Sequence, residues 1–167
     1  MTIAEFDHLE ESQKREYLFN CCGSATWVKE MLTIFPVNDL VDLLEYAEEK
    51  WYECNPAEWL EAFEHYPKIG DTHLLKQRYS KTARFIESEQ AGVENTPEEI
   101  REELMKANDE YEEIFGYIFI VFSTGKSAAE MLEILKQRLN NDPREELMVA
   151  AAEQDKITKL RLKMLFE

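Results

Sequence analysis

Side chains suited to chemistry are concentrated in a few places along this chain. The stretch Glu64-His65-Tyr66-Pro67-Lys68-Ile69-Gly70-Asp71 sets an imidazole beside a phenol, and both groups can donate a proton or a hydrogen bond. Pro67 and Gly70 interrupt regular structure, so these groups are presented at a junction between helices rather than packed into a helix face. Glu89-Gln90, just ahead of Gly92, offers a carboxylate acceptor beside an amide that donates and accepts; a solvated helix turn is the alternative. In the last helix Leu147, Ala150, Ala151, Gln154, Ile157 and Leu165 share one face, and Arg161 falls inside that stripe. A guanidinium aimed at a core needs an anion or a way out. It pairs with one of the 35 acids of the chain, or its stem snorkels to water, or it meets a bound carboxylate or amide-like oxygen.

Other constellations carry less. Gly125-Lys126-Ser127 resembles the end of a phosphate-binding loop, but that motif requires a glycine where Ile120 stands. His8, His65 and His73 form no Ser-His-Asp or Cys-His pattern legible in the sequence. Cys21, Cys22 and Cys54 show no C-x-x-C spacing, which argues against a disulfide framework or a zinc site and for buried free thiols. No metal site is expected.

The elements that must position these groups read as helices throughout. Thr2-Ile3-Ala4-Glu5 is a capping box that opens a short helix. A second runs from Glu11 to Leu18 and on to Gly23, where Ser24 caps a third carrying Trp27, Val28, Met31 and Leu32 at helical spacing. Asn38 is expected to cap a fourth, with Leu40, Leu43, Leu44, Ala47 and Trp51 in one stripe; Asn55-Pro56-Ala57-Glu58 opens a fifth, with Trp59, Leu60 and Phe63 inward. Asp71 caps a short segment through Arg78 and a polar stretch follows. Thr96-Pro97-Glu98-Glu99 then opens a long amphipathic helix in which Ile100, Leu104, Ala107, Tyr111 and Ile114 face the core, closed by Gly116. The run from Tyr117 to Phe122 has strand composition but no second run to pair with, so it is expected as a buried extended or helical segment. Ser127 caps a helix with Met131, Ile134, Leu135 and Leu139 inward, and Asp142-Pro143 opens the last. The reading is an all-α, single-domain bundle of about eight helices over residues 1–167.

Composition narrows the partners. With 19 basic and 35 acidic residues the net charge is -16 and the basic groups are scattered, which repels phosphate backbones and anionic lipid surfaces. Nucleic acid and membrane are therefore not expected as partners. No apolar run approaches spanning length, and Glu5 and Asp7 stand where a signal peptide needs basic and then apolar residues; the expected location is the cytoplasm.

Taken in order, several stretches resemble one family. They are Phe19-Asn20-Cys21-Cys22-Gly23-Ser24 with Trp27, Trp59 leading to Pro67-Lys68-Ile69-Gly70-Asp71, and Glu89-Gln90-Ala91-Gly92. They continue with Asn108 and Tyr111 before Phe115-Gly116, Phe119-Ile120 running into Gly125-Lys126-Ser127, and Ile157 with Leu160-Arg161-Leu162. This ordered set is similar to the 2-oxo-4-hydroxy-4-carboxy-5-ureidoimidazoline (OHCU) decarboxylases of urate degradation. The resemblance implies an all-helical, homodimeric, cofactor-free lyase acting on a small ureidoimidazoline and releasing (S)-allantoin. By position it implies catalytic roles for Tyr66, His65, Glu89 and Arg161, and substrate binding by Pro67, Ser88, Gln90 and the segment Phe119, Ile120, Val121, Phe122 and Ser123. In that family a histidine stands directly before the motif proline, where this chain has Tyr66 with His65 one residue earlier; Ile86 and Ile118 replace a serine and a proline. Those three positions leave a second reading open, a family member that binds another small polar anion or a protein partner without this activity.

Overall fold

Helices begin where the sequence supplies caps. The computed structural model describes residues 1–69 and 83–166. Among these there are nine α-helices, one 3-10 turn and no strand, the all-α class expected. The Asp71-capped segment through Arg78 lies outside the described residues. By packing, the chain divides into two units, Met1–His65 with Gln154–Glu167, and Tyr66–Glu153.

The first unit holds α1 (Ile3–Asp7), α2 (Glu11–Cys21), α3 (Ala25–Thr33), α4 (Leu40–Glu53), α5 (Pro56–Phe63) and the later part of α9 (Pro143–Leu165). Thr2 and Asn55 form full capping boxes with Glu5 and Glu58, and Ser24 accepts from the Trp27 N–H, so orphan amides at these helix starts are satisfied locally. The cap of α4 differs from expectation. Asp39 accepts from the amides of Val41 and Asp42, while Asn38 turns its side chain to the Asp42 carboxylate. The charged oxygen of Asp39 is the better partner for two N–H groups at the positive end of a helix. Trp27, Leu43, Ala47, Trp51, Trp59 and Phe63 form the centre of this unit. The indoles remain polar-satisfied there, Trp27 donating to the Ala47 carbonyl at 3.0 Å and Trp59 to that of Trp51 at 2.9 Å.

All three cysteines are free and buried. Burial pushes the Cys22 thiol up to about 12 and the Cys54 thiol up to about 11, from an ordinary 9.0, and only the thiolate reacts. Native protein at pH 8 is expected to take up almost no iodoacetamide, with labelling following unfolding in denaturant; fast stoichiometric labelling without denaturant would contradict this. Because the folded values lie above the unfolded ones, the thiols' contribution to stability is complete below about pH 9 and is lost as pH rises towards those folded values.

The second unit holds α6 (Ala83–Gln90), the 3-10 turn Ala91–Val93, α7 (Glu98–Phe115), α8 (Ala128–Arg138) and the start of α9. Helix α6 is additional to the sequence reading of this stretch as polar: Phe85, Ile86, Glu89 and Gln90 are buried while Glu87 and Ser88 are exposed. The long helix starts one turn position later than the Thr96 signal suggests. Pro97 takes the cap position without a side-chain bond, and the Thr96 hydroxyl turns back to the Gly92 carbonyl at 3.5 Å. Leu104, Ala107 and Tyr111 face inward as expected, but Ile114 is 50% exposed. Phe115 occupies the seam in its place, its ring 4.6 Å from that of Tyr111.

The strand-like run is an irregular buried segment, with Phe119, Ile120 and Val121 all shielded. Side chains replace the missing ladder. Arg138 Nη1 donates to the Ile120 carbonyl at 2.6 Å, the Phe122 N–H donates to Glu153 Oε2 at 2.7 Å, and Lys126 Nζ donates to the Phe122 carbonyl at 2.7 Å. This meets the requirement that buried backbone groups be paired.

Candidate functional site

The sequence-selected residues fall into two groups, one in each unit. In the second unit, α6 ends with two polar side chains on its apolar face, Glu89 at 8% and Gln90 at 7% exposure. The same face carries Phe85 and Ile86, one helical turn earlier. Ser88 lies on the exposed side. The Ser123 hydroxyl donates to the Glu89 carbonyl, sewing the irregular segment to the end of α6. Two residues on, a Cβ at Gly92 would stand 2.0 Å from the Lys126 carbonyl oxygen, so only glycine permits this backbone-to-backbone approach. The structure thus ties the end of the irregular segment, at Ser123 and Lys126, to the Glu89–Gly92 corner. A cavity of about 340 Å³ lined by Ala91, Gly92, Pro97, Ile100 and Ala128 lies in the same unit and carries none of the candidate residues.

The junction also belongs partly to this unit. Tyr66 is 8% exposed, and Pro67 is half-buried. The chain after them is pinned to α7: Lys68 Nζ reaches Asp109 at 2.8 Å and Glu112 at 2.6 Å, and Asn108 donates to the Ile69 carbonyl at 3.4 Å. The two acids raise the Lys68 ammonium above its ordinary range. Being partly exposed, this triad adds little to stability, about 0–1 kcal/mol, but it restricts where Tyr66 and Pro67 can go.

In the first unit, the end of α2 supports the other two candidates. His65 is exposed, its ring edge-on to Phe19 at 4.7 Å. The side chain sits so close to Gly23 that a Cβ there would collide with it, which only glycine avoids. Arg161 is 3% exposed and its Nη1 donates to the Asn20 carbonyl at 3.1 Å. Phe19, Asn20 and Gly23 therefore fix an imidazole and a guanidinium from one short stretch.

Sequence reasoning missed Arg138, Glu146, Glu153 and Lys126 as supports. Glu146, fully buried, accepts from Tyr111 Oη at 2.5 Å, Arg138 Nε at 2.7 Å and Asn141 Nδ2 at 2.8 Å. Burial first, and then donation to Glu146, raises the Tyr111 hydroxyl far above the ordinary phenol. One signal was available: Glu146 stands four residues before Ala150 and so on the same apolar face. Among the described residues there is no cluster of His, Cys, Asp and Glu able to hold a metal ion, and no helix is long and apolar enough to cross a membrane.

Comparison with known proteins gives a consistent result. A family model described as OHCU decarboxylase matches residues 7–163. The uric acid degradation bifunctional protein TTL of Arabidopsis thaliana is 37% identical over 147 residues, 87% of this chain and 45% of the relative. The uric acid degradation bifunctional protein of Bacillus sp. (strain TB-90) is 26% identical over 129 residues, 77% of this chain and 23% of the relative. The chain thus spans less than half the length of these two relatives. A crystal structure of OHCU decarboxylase in the presence of (S)-allantoin superposes with a TM-score of 0.75 at 34% identity, covering 95% of this chain and 99% of that one. A crystal structure of (S)-allantoin synthase shares the fold, with a TM-score of 0.72 at 15% identity over 98% of this chain and 54% of the other.

Proposed function

The chain belongs to the OHCU decarboxylase family, and from that premise we propose that it removes CO2 from OHCU and protonates the product to (S)-allantoin. The observation that carries the reading is the likeness to an OHCU decarboxylase along 99% of that protein's chain at 34% identity. In this reading residues 1–167 act as one domain, in the cytoplasm and as a homodimer.

The chemistry needs a grip on an anion, recognition of a ureido group, and a proton for carbon. Arg161 suits the first, since a guanidinium pairs with carboxylate or carbonyl oxygens in two parallel bonds. Glu89 accepts from ureido N–H groups while Gln90 both donates and accepts, and Pro67, Ser88 and the backbone from Phe119 to Ser123 complete the binding set. The bond from the ring to the carboxylate carbon breaks, CO2 leaves, and the electron pair passes into the ring. That carbanion equivalent then takes a proton from one face, which sets the configuration. Because the ring itself accepts the electron pair, the reaction requires no metal or organic cofactor. The proton comes from Tyr66, in the position before Pro67, or from His65 beside it. An unperturbed phenol, with a pKa of about 10, is a weak base near neutrality but a competent neutral donor.

The test is to follow freshly generated OHCU by circular dichroism as chiral allantoin forms, using wild type, His65→Ala, Tyr66→His and Tyr66→Phe. Faster formation of one enantiomer by wild type is the expected result. Loss of on the order of 10²–10³-fold in His65→Ala assigns the proton to the imidazole, and the same loss in Tyr66→Phe assigns it to the phenol. A wild type no faster than buffer, with no binding of (S)-allantoin, would sink the reading. Light scattering at micromolar protein tests the dimer.

A further inference from the structure

The N–H and carbonyl of Phe122 lie in the irregular segment and have no strand partner among the described residues. Instead they are held by opposite charges. Glu153, from α9, accepts from the N–H at 2.7 Å, and Lys126 donates to the carbonyl at 2.7 Å with its ammonium 5.3 Å from the centre of the Phe122 ring. Hydrogen bonds with an ionised partner are shorter and stronger than neutral ones, and two of them on one residue select a single orientation of the local backbone. The pairing satisfies both groups and also fixes the direction of the backbone.

The clamp is connected to the candidate binding groups. The Lys126 N–H returns to the Ser123 carbonyl at 3.0 Å across Gly125, whose φ of 79° lies in the left-handed region that glycine adopts without strain. That turn is what lets Lys126 reach back four residues to Phe122. Its own carbonyl lies on Gly92, two residues after Gln90, and the Ser123 hydroxyl holds the Glu89 carbonyl. Movement of the Phe122 backbone therefore moves the Glu89–Gln90 corner and the backbone of Phe119–Ser123 together. Gly125-Lys126-Ser127, which resembles a phosphate loop in sequence alone, acts here as a tether.

We propose that Glu153 and Lys126 are positioning residues: as an anion and a cation on the two polar groups of Phe122, they fix the backbone and the Glu89–Gln90 pair against which the substrate binds. This rests on the OHCU decarboxylase reading. Neither residue is assigned contact with the substrate.

The experiment compares Glu153→Ala, Glu153→Gln, Lys126→Met and Lys126→Arg with wild type, measuring KM and kcat for OHCU, the Kd of (S)-allantoin, and amide exchange at Phe122. Glu153→Ala and Lys126→Met are expected to raise KM and Kd by roughly tenfold to a hundredfold, with Phe122 exchange accelerated in Glu153→Ala. Glu153→Gln and Lys126→Arg should recover most of the affinity, because an amide oxygen still accepts and a guanidinium still donates. A variant that merely folds less completely would lower apparent kcat and leave KM unchanged, so the KM change separates positioning from stability. Wild-type KM in the Ala and Met variants would overturn the assignment, as would a Gln variant as impaired as the Ala variant. A wild type without activity or allantoin binding would overturn the functional reading and this assignment together.

Discussion

Arg138→Leu is expected to lower the unfolding free energy by about 3–5 kcal/mol, the usual cost of removing one partner from a buried ion pair. Glu146 has no exposure, and Arg138 only 7% at its side chain. The guanidinium does three things at once: it meets Glu146 through Nε at 2.7 Å and Nη2 at 2.5 Å, donates Nη1 to the Ile120 carbonyl at 2.6 Å, and covers the Phe119 ring at 4.6 Å. Leucine keeps some of the packing and none of the polar partners. Among the described residues the carboxylate would keep Tyr111 and Asn141, and the Ile120 carbonyl would lose its Arg138 donor, a loss of about 1–3 kcal/mol when buried. Urea unfolding of Arg138→Leu, Glu146→Leu and the double variant forms a cycle that isolates the pair. The double variant should be less destabilised than the sum of the singles, since no lone charge remains buried, yet still below wild type because Tyr111 and Ile120 lose partners. An Arg138→Leu midpoint equal to that of wild type would show that the pair does not hold this unit.

Much of the helical framework was legible because its signals are local. Thr2, Ser24, Asn55 and Ser127 lie within three residues of the amides they cap, and the tryptophans of α3, α4 and α5 fall on helical stripes that are buried as their spacing demands. Where two local signals compete, sequence does not decide. Asn38 and Asp39 are both good caps, and the charged one wins; Ile114 and Phe115 both lie near the seam of α7, and the larger ring that packs on Tyr111 is chosen. Helix α6 was hidden by the mixed character of its buried face. Its buried face is half polar, so Glu89 and Gln90 read as solvated residues and obscure the apolar period. The supports of the irregular segment were out of reach for a different reason. Arg138 and Glu153 stand 18 and 31 residues from the backbone groups they satisfy, and no local pattern links them. Arg161 was found by its phase on α9, but its carbonyl partner at Asn20, 141 residues earlier, was not.

Arg161→Met separates the two explanations for a guanidinium on a core face. Methionine keeps most of the stem's volume and removes charge and donors. If Arg161 serves mainly to neutralise an internal acid, the variant strands that acid and loses about 3–5 kcal/mol. If it serves a substrate anion, the fold has been carrying a desolvated charge for binding, and stability should stay within about 1 kcal/mol of wild type or rise. The second outcome is expected on the decarboxylase reading, in which the guanidinium, oriented by its bond at 3.1 Å to the Asn20 carbonyl at the end of α2, grips the substrate. Activity should then fall on the order of 10²–10³-fold in kcat/KM, as when a donor to developing charge is removed from a shielded site. Arg161→Lys should recover little of it, because an ammonium is a point charge without the planar two-bond geometry. Chemical unfolding beside the dichroism assay decides the matter: a large stability loss with residual activity points to an internal pair, and preserved stability with lost activity points to a substrate-binding arginine.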